Sequence, residues 1–436
     1  MALSKAEYEN YLNILRAELV PAAGCTEPIA VAYAAAKARE VLKEDVLRVH
    51  VDCSGNVVKN VKGVTVPNSG GMRGIEAACL LGIAGGNAAS ELEVLLKLTD
   101  KDRERAKRML ADGACSVSLA EDVPNLFIRV RAEGASHRAE VELANAHTNI
   151  TKITRDEETV FQAENVLAAD EDGTTGNCDY SGITLQGLIA FADEVNPEDV
   201  RQLLDRQIAY NRAIAQEGID NPWGARVGKT ILETWGGDEK NAAVAFAAAG
   251  SDARMSGCPL PVVINSGSGN QGITVTMPVL VYADAWHISE EKRYRALVVS
   301  NLVSIHIKHY IGALSAFCGA VSAACGAGAA ITYLSGKDYA QIGRTITNTL
   351  GNVGGIVCDG AKPSCAAKIA SSVNAALLAH YMSLSDREFA AGEGLVEKDV
   401  EETIRNIAYI GKVGMKDTDR EILNLMIDNV DVDACL

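Results

Sequence analysis

Ile311 to Gly336 reads IGALSAFCGAVSAACGAGAAITYLSG, a run without one charged side chain. Its length is enough to cross a bilayer. Its content argues otherwise: the side chains are mostly Ala, Gly and Ser, which gain little from lipid but let helices approach closely. We read the run as a buried helix of a tightly packed, non-membrane protein. That reading sets the character of the whole carboxy-terminal part.

Working back from it, Leu185 to Val195, Pro197 to Gln216, Pro222 to Thr234 and Asn241 to Met255 all show helical periodicity. The acidic, Gly-containing run Asp170 to Asn177 (DEDGTTGN) reads as a linker ahead of them. Before the linker the pattern is mixed. Lys5 to Leu19, Ile29 to Val41, Gly74 to Ile83 and Lys101 to Ala111 read as helices. Leu47 to Asp52 alternates like a strand, with a turn at Ser54 to Asn56, and Leu126 to Ala132 with His137 to Ala144 reads as a hairpin. The expected class is α+β: a mixed domain over 1–172, then a mainly helical domain over 173–436. No repeat or heptad array is visible.

Hydrophobic residues make up 48% and aromatics only 5%, so the core must be built from small aliphatic side chains, which suits packed helices. The formal net charge of -16 repels phosphate backbones and excludes nucleic acid as a partner. The polar start, MALSKAEYENYLN, lacks the apolar region of a signal peptide, and the expected location is the cytoplasm. There the 11 cysteines, an odd count scattered through the chain, are expected as thiols rather than a disulfide framework.

Four motifs carry chemistry. In Pro21-Ala-Ala-Gly-Cys25-Thr26-Glu27-Pro28, Thr26 is a suitable N-cap and Pro28 suits a first helical turn. Cys25 is then expected at the positive end of a helix, where a thiolate is favoured and could serve as base, nucleophile or metal ligand. Two Gly-rich loops, one with Asn68, Ser69, Gly70 and Gly71, the other with Asn265, Ser266, Gly267, Ser268 and Asn270, can present backbone N–H groups to a carboxylate. Neither is a Walker or dinucleotide loop, and both also suit tight turns between buried elements. The fourth is a set of late cysteines. Cys318 and Cys325 are expected on one helix face, and Cys358 and Cys365 flank a loop. Their spacing matches no ferredoxin or zinc pattern, yet thiolates converging from a helix and a loop can hold a cluster. No His-Glu-x-x-His or Gly-x-Ser-x-Gly motif occurs, and His306 and His309 read as ordinary helix residues.

Gly24 to Pro28, Asn68 to Met72, Gly267 to Gly272 and Cys358 to Cys365, in that order, resemble the L-cysteine desulfidase family, which belongs with the α-chain domain of iron–sulfur L-serine dehydratases. The resemblance spans nearly the whole chain. It implies a [4Fe–4S] cluster on Cys318, Cys358 and Cys365 with one iron open to substrate, and Cys325 is the neighbour that confuses this choice. It makes Cys25 the base or a further thiolate near the cluster. Serine dehydratases carry Ser-His-Thr at the corresponding helix start, and the loop after the second cysteine is longer there. Cys435, penultimate here, reads as part of a frayed tail.

The expected reaction is β-elimination of L-cysteine to pyruvate, ammonia and sulfide. Cys25 takes the α-proton, Thr26 and Glu27 with Asn68 to Gly71 hold the amino acid, and Asn265 to Asn270 closes the site. Rivals are an iron–sulfur L-serine or L-threonine dehydratase, and a non-enzymatic iron–sulfur redox sensor or amino-acid binding protein. Ala- and Gly-rich helices suit packing into a homo-oligomer.

Overall fold

The computed structural model describes residues 3–163, 178–312 and 314–430. The expected linker and the 172/173 domain boundary lie outside the described residues, as does Cys435. The first part is mixed and the second largely helical.

The amino-terminal part is built on a six-stranded sheet. Its spatial order is Cys115–Leu119, Arg48–Cys53, Phe127–Glu133, Arg138–Ala144, Ile150–Arg155 and Glu158–Gln162. The first pair runs parallel and the others antiparallel. Register follows the alternation: Val130 faces Val141 and Ile128 faces Leu143, both pairs buried, while Arg129 faces Glu142 on the other side. Helix Thr26–Leu42 packs between the sheet and helix Gly74–Gly85 and is therefore buried almost all round. Three strands have no expected counterpart. They are short and polar on one side, and Ser, Thr and Glu dilute their period. The turn expected at Ser54 to Asn56 is instead the start of helix Gly55–Lys62, with Ser54 at its N-cap.

In the helical part, Gly319–Leu334 is the central element, packed against Glu290–Ile311, Gly269–Ala285, Tyr339–Val353 and Cys365–Leu384. A Cβ at Gly326 would stand 2.2 Å from the Ser300 carbonyl oxygen, so only glycine permits that approach. Pro222 to Thr234 forms a shorter helix than expected, Val227–Trp235.

The uncharged run is not one helix. Glu290–Ile311 stops at Gly312, whose φ is 93°. The chain resumes helix only at Gly319, with Cys318 as N-cap. A run of Ala, Gly and Ser has no amphipathic period to betray such a break. Among the described residues no helix is long and apolar enough to cross a membrane.

The two parts are tied by a small antiparallel pairing. Pro21–Ala23 pairs with Pro261–Val263, placing Pro21 opposite Val263. The chain leaves these strands into the Cys25 motif on one side and the Asn265 to Asn270 loop on the other. Two motifs more than two hundred residues apart thus become neighbours.

Candidate active site

Cys25, not Thr26, is the N-cap of helix Thr26–Leu42, and it makes no side-chain cap bond. The preceding Gly24 has φ 69° and lies against Pro67, where a Cβ would come within 1.8 Å of Pro67 Cγ. The Cys25 sulfur donates to Glu27 Oε2 at 3.2 Å. Glu27 is held in turn by the Thr26 hydroxyl at 3.0 Å and by Asn60 Nδ2 at 3.0 Å. His147 Nε2 stands 3.9 Å from Glu27 Oε1, an ion-pair separation, and finds no hydrogen-bond partner. Thr26 Oγ1 is also 3.0 Å from the Gly267 carbonyl, which joins the first motif to the third.

These contacts overturn one expectation. The helix terminus does not lower the Cys25 thiol: burial pushes it well above its usual value, and the Glu27 carboxylate adds to this, against a smaller opposing effect of Arg254. Glu27 is buried too. Burial raises its carboxyl, but His147, the Cys25 bond and the helix N-terminal amide together hold it at about 2. The resting pair is a thiol donating to a carboxylate.

The late cysteines lie in one region of the fold. Cys318 N–H donates to the Ile356 carbonyl at 3.0 Å, and Cys358 N–H to the Ala316 carbonyl at 2.6 Å, across the bridge Phe317–Val357. Cys365 opens helix Cys365–Leu384. Burial pushes the Cys318 thiol up to about 12, and charge on Cys358 and then Cys365 pushes in the same direction. Cys365 rises by burial and by Cys358. Asp359 pairs with both Lys362 and Lys368, and Lys368 favours thiolates at Cys318 and Cys365. Cys25 packs with Val64, Met255 and Cys365 in one small cluster, so a fourth sulfur adjoins the trio.

Cys25 and Cys318 are N-caps and Cys365 is the first residue of its helix. Three helix starts therefore aim their positive ends into this region. Cys325 is not part of it. With Cys318 outside the helix the two do not share a face, and the Cys325 sulfur reaches the Ile346 carbonyl at 3.7 Å. Three sulfurs beside tethered lysines and helix N-termini are a donor set that fits an iron–sulfur cluster, whose thiolates need that compensation. Among the described residues no group of three or more His, Cys, Asp or Glu side chains is arranged to hold a metal ion.

A cavity of about 660 Å³ is lined by Glu27 and Lys308 but by none of Cys25, Cys318, Cys358 and Cys365. Glu27, His147, Ser266, Gly267, Ser268 and Gln271 are among its lining residues. Lys308, 5% exposed, lies between the cavity and the cysteines. It lines the cavity, donates to the Gly312 carbonyl, and feels charge on Cys358 and Cys318. Burial pulls its ammonium down to about 8 even so.

The remaining motif residues have other tasks. Asn68, at φ 53°, donates to the Leu95 and Leu96 carbonyls at 2.9 and 3.2 Å and accepts from Arg103 at 3.0 Å. Ser69 bonds the Met72 carbonyl, while Gly70 and Gly71 take positive φ in the same turn. None of the four lines the cavity. Asn265 is wholly buried and bonds Asn301 Oδ1 at 3.0 Å. Asn270 accepts from Arg254 at 3.1 Å, and Arg254 also donates to the Gly24 carbonyl at 2.9 Å, so one guanidinium locks both loops together. Sequence reading did not select Glu18, His147, Tyr180, Gln271 or Lys308. Gln271 and Lys308 carried a signal, as polar residues in otherwise apolar helical runs. Glu18, Tyr180 and His147 carried none.

Residues 89–424 match the serine dehydratase alpha chain family, a stretch that includes the three late cysteines and begins after Cys25 and Asn68 to Gly71. Three similar proteins are a UPF0597 protein of Lachnoclostridium phytofermentans, 49% identical over 97% of this chain and 100% of its own, one of Desulfitobacterium hafniense, 48% identical over 97% of both, and one of Finegoldia magna, 47% identical over 96% and 100%. The chain belongs to the UPF0597 family and carries a serine dehydratase alpha chain domain.

Proposed function

We propose that the protein is a lyase that eliminates the β-substituent of a small amino acid, with L-cysteine as substrate and a [4Fe–4S] cluster on Cys318, Cys358 and Cys365. The observation that supports the reading is the placing of those three cysteines in one region, with Cys25 beside Cys365 and Lys308 feeling charge on Cys318 and Cys358 while lining a cavity. The match to the serine dehydratase alpha chain supports lyase chemistry.

β-Elimination breaks Cα–H and Cβ–S and forms Cα=Cβ. The bound cluster supplies a Lewis-acidic iron for the departing sulfur. The rest falls to the chain. Cys25, once its own proton has left to solvent, takes the α-proton and hands it to the leaving sulfur, while Glu27 Oε2, 3.2 Å away, orients the Cys25 sulfur. His147, facing Glu27 from the cavity wall, steadies the carboxylate that remains. The aminoacrylate tautomerises and is hydrolysed, so that cysteine and water give pyruvate, ammonia and hydrogen sulfide. Lys308 holds positive charge between the substrate and the sulfurs throughout.

The test is anaerobic iron and sulfide analysis beside a pyruvate assay with L-cysteine. Cys358→Ala is expected to lose the brown chromophore and sulfide release together, and turnover retained without iron rejects the reading. Cys25→Ser is expected to keep the chromophore and lose turnover. The family match favours one alternative, an L-serine dehydratase using the same site. Pyruvate formed from serine in preference to cysteine would decide for it.

A further inference from the structure

The cavity has lining residues that the elimination steps leave unused, among them Glu18, at the end of helix Lys5–Glu18. Its Oε1 accepts from the Tyr180 hydroxyl at 2.8 Å, and its carboxyl also accepts the backbone N–H of Ser266. No ion pair joins it to a cation among the described residues. Glu18 is half-buried, and burial raises its pKa. Gln271 supplies an independent sign. It is 4% exposed, lines the same cavity, and its Oε1 has no hydrogen-bond partner. Gly319, next to Cys318, lies against the Gln271 amide, so this acceptor is close to the cysteines.

A half-buried carboxylate and an unmet, buried amide oxygen both call for a donor, and for a positive one. The Lys308 ammonium lines the same cavity, and a zwitterion carries a partner for each charge. We infer that Glu18 and Gln271 form an ammonium subsite that restricts the cavity to compounds with a free α-amino group, excluding their deaminated and N-acylated analogues. Tyr180 and the Ser266 amide position the Glu18 carboxylate. The inference rests on the amino-acid reading above and adds the residues that enforce it.

Binding is tested apart from turnover on the anaerobically purified holoenzyme, using L-alanine, which has no leaving group, and propionate, its deaminated counterpart. The wild type is expected to bind L-alanine at least about tenfold more tightly, the scale of one charge-assisted hydrogen bond. Glu18→Gln keeps an acceptor for Tyr180 and Ser266 but removes the charge. It is expected to weaken L-alanine about ten- to a hundredfold, to leave propionate unchanged, and to keep the chromophore. Gln271→Met is expected to act in the same direction with a smaller loss. With L-cysteine, Glu18→Gln raises KM more than it lowers kcat. Preference for L-alanine surviving in Glu18→Gln overturns the subsite, as does equal loss of both ligands. Binding that follows this pattern without any pyruvate formation overturns the eliminase and leaves the subsite standing. A wild type that binds neither probe overturns both.

Discussion

His380 ought to make the helical part sensitive to acid in a calculable way. It lies in helix Cys365–Leu384 with none of its surface exposed, among the rings of Tyr282, Trp286 and Tyr381. Its Nδ1 is 2.9 Å from Thr332 Oγ1. That hydroxyl already donates to the Gly328 carbonyl at 3.0 Å, so the imidazole donates to it through Nδ1. Nε2 is then the bare nitrogen, and it has no partner. A second proton there would create a buried cation with nothing to accept it. Burial accordingly pulls the imidazole from 6.5 to about 4. A folded value below the unfolded one means that the contribution to stability is complete above pH 6.5 and is lost as pH falls towards 4. At 1.36 kcal/mol per pH unit the full effect is about 3 kcal/mol, of which about 2.5 is gone by pH 4.5.

Replacement by asparagine isolates the effect. The Asn amide can take over the Nδ1 donor role towards Thr332 but cannot titrate. The void left by the missing ring atoms costs about 1–2 kcal/mol at every pH and cancels in the comparison. Trp223, Trp235 and Trp286, the only tryptophans, all lie in the helical part, so urea unfolding followed by their fluorescence reports on the right region. Between about pH 7.5 and about pH 4.5 the wild type is expected to lose about 2.5 kcal/mol more than His380→Asn. Parallel pH profiles for the two proteins would refute the reasoning.

Asp252 runs the other way. It is wholly buried beneath the start of helix Val227–Trp235, where burial lifts its carboxyl to about 6 against three backbone N–H bonds. A raised folded value costs stability as pH climbs through 4 to 6. Asp252→Asn is therefore expected to raise the unfolding free energy read from urea titration near pH 8 by about 1–2 kcal/mol, and to give no gain near pH 4. Cys325→Ala is expected to keep its full complement of iron in anaerobic metal analysis and to lose about 1 kcal/mol of stability, since that sulfur packs against Ile346. Gly24→Ala places a methyl group within 1.8 Å of Pro67 Cγ at a φ of 69°. It is expected to cost at least about 2 kcal/mol, read as a lowered thermal midpoint.

The elements legible from sequence were those with a clear period. Helix Lys5–Glu18, the hairpin at 127–144 and the long helices from Leu185 to Met255 stand close to where alternation and caps place them. The break at Gly312 to Cys318 was not legible, and it matters most. It moves Cys318 from the middle of a helix to its start, and so away from the face of Cys325 and towards Cys358. Uniformly apolar small residues give no signal of where a helix stops, because every face can be buried. The Cys25 motif shows the converse failure. Its helix start was legible, but the sign of the thiol's shift was not. That sign depends on Glu27, two residues on, and on burial by Val64 and Met255, which no local pattern contains.

The arrangement explains why the site needs both parts of the chain. Pro21–Ala23 and Pro261–Val263 form only a three-residue pairing, too short to be stable alone, and it holds because the helices on either side are packed independently. Arg254 then fixes the spacing by holding the Gly24 carbonyl and the Asn270 side chain at once. Removing that guanidinium loosens the Cys25 helix start from the loop beside it while leaving Cys318, Cys358 and Cys365 in place, since their backbone bonds lie within the helical part. Arg254→Lys keeps a charge but cannot span both acceptors. Iron content should survive in that variant while turnover falls at least about tenfold, the scale of losing one charged hydrogen bond. Loss of iron together with activity would mean instead that the Cys25 side helps to gather the other three sulfurs.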